Sequence, residues 1–182
     1  MRSGHGGASR LRSLAIAATL LPFSAGVMAE PLTLDYQLVV HVTETHGFEV
    51  FDEPGHTVGI AAFRGLAIFA DGRVARHDYA GHFDFVDDAG GFEGYARWVF
   101  ADGSQLRSRY VGTATARPDG GIDFTGSHGD ITGTGIYAGA TGSGTFAGER
   151  IDYLRDGGEV YQRGRLELEL PEVGDSSEQD ME

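Results

Sequence analysis

The stretch that decides the fold is GDITGTGIYAGATGSGTFAG, Gly129 to Gly148. Glycine recurs through it, yet Ile131, Ile136, Tyr137 and Phe146 punctuate the run, and a flexible linker has no use for them. Glycines set among residues meant for burial serve geometry: positive φ, bulges, or close backbone approach in a curved sheet. Strand character therefore extends over 135–150. Gly133, Gly135, Gly139, Gly142 and Gly144 are the positions needed for shape.

The segments around this stretch are also strand-like. Over 33–44, Leu34, Tyr36, Leu38, Val40 and Val42 alternate with Asp35, Gln37, His41 and Thr43, which predicts a long half-buried strand. Further strands are expected over 56–69, 73–79, 82–86, 91–100, 105–116, 122–126 and 159–170. Asp71-Gly72, Asp102-Gly103, Asp119-Gly120 and Asp156-Gly157 fall between such runs and signal hairpins, and Asp88-Ala89-Gly90-Gly91 marks another turn. No helix of useful length is expected beyond the leader. The fold class is all-β, an antiparallel eight-stranded up-and-down barrel, with a β-sandwich as the alternative; either removes the sheet edges that short strands would otherwise expose.

Residues 1–29 read as a secretory signal peptide, with Arg2, Arg10 and Arg12 before an apolar run and a small-residue site at Val27-Met28-Ala29. Residues 30–170 form the barrel domain, and the acidic segment 171–182 reads as a disordered tail. An exported protein, periplasmic or extracellular, is the expectation. The formal charge is already −13, and loss of the leader's arginines makes it more acidic. This argues against nucleic acid and anionic membrane as partners. No second apolar span follows the leader, so no stable membrane insertion is expected after cleavage. The chain has no cysteine, and its basic residues are all arginine. Thiolate chemistry, disulfides and lysine Schiff bases are thereby excluded.

Other motifs dissolve on inspection. Gly142-Ser143-Gly144 lies in strand context without the following helix that a dinucleotide loop requires. Ser143 lacks the Gly-x-Ser-x-Gly frame of a nucleophile elbow. The histidines, His77 and His82 included, show no zinc spacing, so neither metal nor cofactor is expected. The loop over 45–55 reads as a surface loop or a lid at a barrel mouth. Aromatic residues recur along the strands and mostly predict core. Tyr36, Tyr95 and Tyr110 would bring hydroxyls into an apolar interior, the composition of a small-molecule site. Arg97 shares the face of Tyr95 and is placed to pair with an acid or a ligand carboxylate.

The run Ile131-Thr-Gly-Thr-Gly-Ile-Tyr-Ala-Gly-Ala-Thr-Gly142 resembles the closing segment of allene oxide cyclases and dirigent proteins. The stretch Gly91-Phe-Glu-Gly-Tyr-Ala-Arg-Trp-Val-Phe-Ala-Asp-Gly-Ser104 is similar to their aromatic strand and turn. The resemblance spans about 91–148 and implies an eight-stranded barrel, most like bacterial proteins with an allene-oxide-cyclase-like domain. It implies a hydrophobic or phenolic small molecule whose cyclisation or isomerisation is steered by positioning, and a homo-oligomer, dimer or trimer. The family's first-strand glutamate and asparagine have no counterpart here; His41 and Thr43 stand near those positions, with Glu44 beside them. Tyr36, His41, Tyr95, Arg97 and Tyr110 are the candidate catalytic and steering residues. The competing reading is a non-catalytic, lipocalin-like carrier; an interaction protein using its acidic surface ranks behind both.

Overall fold

Leu34, Tyr36, Leu38 and Val40 occupy one face of the first strand, and all of them are buried. A computed structural model of the chain describes residues 31–171. The expected leader and nearly all of the acidic tail lie outside the described residues. No helix among the described residues is long and apolar enough to cross a membrane.

The strands are β1 (Leu32–Glu49), β2 (His56–Phe69), β3 (Val74–Val86), β4 (Ala89–Phe100), β5 (Gln105–Ala116), β6 (Ile122–Thr134), β7 (Thr141–Arg150) and β8 (Val160–Glu169). Each pairs antiparallel with the next, and β8 pairs with β1, so the sheet closes into a barrel. Closure excludes the sandwich alternative and satisfies both edges of every strand.

Several boundaries differ from the sequence reading. The segments 73–79 and 82–86 are one strand, because Ala80 and Gly81 stay in register with Tyr95 and Gly94 of β4. Strand β6 runs to Thr134 rather than ending at 126. Strand β1 reaches Glu49 past a bulge at Val42/Glu44, so the expected 45–55 loop shrinks to its second half. Segment 135–150 is not a single strand: Gly135–Tyr137 forms a 3₁₀ turn and β7 starts at Thr141.

The glycine run does its work at that turn. Gly135 has φ +65°, and amide bonds from Ala138 to Gly135 O and from Ala140 to Tyr137 O tighten the backbone that follows. The turn directs Tyr137 inward, where it is buried. Gly142 has φ +151°, and a Cβ there would lie 2.1 Å from the Glu167 carbonyl oxygen of β8. Gly133, Gly139 and Gly144 also lack room, since a Cβ would meet an atom at 2.3, 2.8 and 2.5 Å respectively.

The Asp-Gly pairs act by a division of labour. In three of the hairpins glycine takes positive φ, at Gly72, Gly103 and Gly120, while the aspartate does not. Its carboxylate instead accepts the amide two residues on: Arg73 N to Asp71, Ser104 N to Asp102 and Gly121 N to Asp119. That is why aspartate precedes glycine in each.

The two ends of the barrel differ. At the end bearing the β2–β3, β4–β5 and β6–β7 connections, Trp98, Tyr137, Leu38, Leu106, Leu166 and Leu168 fill the interior. Tyr137 packs against Phe100 at 5.1 Å between centroids. The Arg73 guanidinium spreads across the Phe69, Phe100 and Tyr137 rings and donates to the Tyr137 hydroxyl, closing that end. The opposite end, with the β1–β2, β3–β4, β5–β6 and β7–β8 connections, is where the interior opens.

Candidate ligand-binding site

Above the packed half lies a cavity of about 90 Å³ that opens at the mouth. One water requires roughly 10–15 Å³ on the same measure, so the space exceeds a hydration site. Its walls are aromatic: Phe63 stacks on Tyr79 with centroids 4.4 Å apart, and Phe92, Phe124 and Phe146 complete the ring. Small side chains make the room, with Ala61, Ala96 and Ala114 among the lining residues.

A polar, ordered network lies beneath the cavity and reaches it through His128 and Gln162. Gln162 Nε2 donates to the Tyr36 hydroxyl at 3.0 Å. That hydroxyl lies 3.1 Å from His128 Nε2, and His128 Nδ1 lies 2.9 Å from Ser108 Oγ. Neutral His128 donates from one ring nitrogen and accepts at the other, so it links the Tyr36 and Ser108 hydroxyls. Both nitrogens of His128 are therefore engaged. Burial raises the pKa of Tyr36 and keeps it a phenol.

Tyr79 and Tyr110 are different. They meet edge to face at 5.8 Å, both line the cavity, and among the described residues no hydrogen bond engages either hydroxyl. Burial raises both pKa values, so both remain protonated donors. His77, packed on Trp98 at 4.7 Å, leaves Nδ1 without a partner.

The sequence candidates separate by strand face. Tyr36 and Tyr110 point into the barrel. His41 is exposed on the outer wall, and Tyr95 is 71% exposed beside Ile60. Arg97 is also on the outside, where it donates to Asp78 at 2.8 Å along with Arg64 and Arg76. An inward site built from His41, Tyr95 and Arg97 is thus corrected: even-numbered positions of β4 face the core and odd-numbered ones face out. Tyr79, Ser108, His128, Arg150 and Gln162 were missed. The expected break after Tyr79 hides that the inward parity of β3 continues to Phe83 and Phe85, and His128 lies beyond the expected end of its strand at 126.

At the mouth, Asp52, Glu53 and His56 place ligand-type atoms within 4.8 Å of one another. Both ring nitrogens of His56 already contact carboxylates, Asp52 at 2.7 Å and Asp84 at 2.8 Å. Those bonds, Asp84 foremost, raise its pKa and favour the protonated ring, which opposes metal ligation.

The buried histidines make the fold acid-sensitive. Burial lowers the pKa of His77 to about 3, with His128 assisting, and lowers that of His128 to about 4. As pH falls through 6.5, the unfolded chain binds protons at these positions and the folded chain does not. Stability is therefore full above that pH and declines below it, by about 1.4 kcal/mol per pH unit per histidine. Between pH 7 and pH 5 a loss of about 4 kcal/mol is expected from urea midpoints, halved in a His128→Asn variant. His56 acts in the opposite sense, gaining as pH falls, but it is exposed and screened and offsets only part.

Neither a family model nor a curated protein matches the chain. Among solved structures, the chain is similar to the pterocarpan synthase dirigent protein GePTS1. The match has 15% identity and a TM-score of 0.49, and covers 86% of this chain and 100% of that one. This is a likeness of fold and assigns no chemistry.

Proposed function

We propose that this is an exported barrel protein that holds an apolar or phenolic small molecule in its upper cavity and fixes its conformation. The observation that carries the reading is an aromatic cavity with two uncommitted phenol donors at Tyr79 and Tyr110. Apolar walls with few directed polar groups orient a ligand. Neither buried cavity histidine is an effective base: His128 has both nitrogens engaged, and burial makes His77 only weakly basic. Any cyclisation or isomerisation here proceeds by positioning, with tyrosine donors polarising an acceptor on the ligand. The weak basicity of both buried histidines favours a carrier as the second reading.

Trp98 is the sole tryptophan and lies one layer below the cavity, against His77 and His128. Titration with 4-hydroxycinnamyl alcohol should change its emission saturably. Ala114 is buried in the cavity wall, and Ala114→Phe fills the space. At least a tenfold loss of affinity is expected, with the unfolding midpoint retained. Undiminished binding by that variant would remove the cavity from the proposal. Incubation of a reactive substrate with the wild type, followed by chiral product analysis, separates steering from carriage.

A further inference from the structure

Arg150 ends β7 at the mouth, and its side chain is only 7% exposed. It lines the cavity, with its guanidinium carbon 6.0 Å from the Phe85 ring. Its one hydrogen-bond partner among the described residues is Asp88, at 3.2 Å from Nη2. Asp88 sits on the β3–β4 turn and is itself about one-third exposed. Arg150 Nε is buried and has no partner.

A guanidinium offers five donors in a planar fork and keeps its charge. Burying it is costly unless the fork is filled. A single long bond from a half-solvated carboxylate does not fill it, and burial lowers the Arg150 pKa by more than Asp88 restores. The cation faces an apolar cavity whose floor carries phenols and neutral histidines but no second cation.

We infer that Arg150 receives the carboxylate of an apolar monocarboxylic acid, whose body extends toward the Tyr79–Tyr110 floor. The inference rests on the cavity reading above and adds the ligand's charge and direction. A dianion is disfavoured, because one arginine already shared with Asp88 meets it on a chain of formal charge −13.

The test compares trans-cinnamate with trans-cinnamamide, which keeps the shape and lacks the charge, by calorimetry at pH 7. Wild type should bind the acid at least tenfold more tightly. Arg150→Gln should abolish that preference while still binding the amide. Asp88→Asn, which removes the competing carboxylate and keeps Arg150, should retain or increase it. Equal binding of acid and amide by wild type, or a preference that survives Arg150→Gln, overturns the carboxylate assignment and leaves the cavity reading standing. Failure of both probes to bind overturns the two together. If Arg150→Gln does not fold, the wild-type and Asp88→Asn comparisons decide: no preference for the acid in either overturns it.

Discussion

Trp98→Ala is expected to lower the unfolding free energy by about 4 kcal/mol, within the range for emptying a large aromatic site in a core. Trp98 has no exposed surface. It touches Tyr36 edge-on at 5.9 Å, His77 at 4.7 Å and His128 at 5.1 Å, so it is the platform on which the cavity floor rests. The closed half of a barrel cannot collapse around a missing indole, because its wall positions are fixed by strand pairing on both sides. Trp98→Phe should cost much less, about 1–2 kcal/mol, since the indole Nε1 has no hydrogen-bond partner to lose. Urea denaturation followed by circular dichroism separates the two. A Trp98→Ala variant within 1 kcal/mol of wild type would contradict the division into packed and open halves.

That division was only partly legible in the sequence. Alternation over β1 placed Leu34, Tyr36, Leu38 and Val40 together, and burial of all of them follows from the same period. The turn chemistry was also local, so the Asp-Gly hairpins could be read residue by residue. Strand β4 was harder. Phe92, Trp98 and Phe100 face in while Tyr95 faces out, and aromatic residues on both faces blur the alternation. Gly81 likewise reads as a break, although its register pairs it with Gly94 of the neighbouring strand. The floor network had no sequence signal at all. Tyr36 and Gln162 are 126 residues apart and Tyr36 and His128 are 92 apart; only barrel closure brings them together. The Arg150–Asp88 pair is hidden in the same way, Arg150 ending β7 and Asp88 lying on the β3–β4 turn.

Gly142→Ala should be the most damaging change in the glycine run, costing on the order of 4 kcal/mol or preventing folding. Two effects compete for the explanation, and a control distinguishes them. Gly72 also has positive φ, at +85°, but a Cβ there meets nothing within 4 Å. Its replacement by alanine measures backbone strain alone, about 1 kcal/mol. At Gly142 the added Cβ would lie 2.1 Å from Glu167 O, and that oxygen belongs to the backbone of β8 and has no rotamer to escape into. Relief requires parting β7 from β8 where Gly142 pairs with Leu168, a residue buried at the closed end. Sterics therefore dominate strain, and the cost at Gly142 should exceed that at Gly72 severalfold in the same denaturation assay. Equal small costs at both positions would make the run a tolerant turn rather than the segment that closes the barrel and seats Tyr137 in its base.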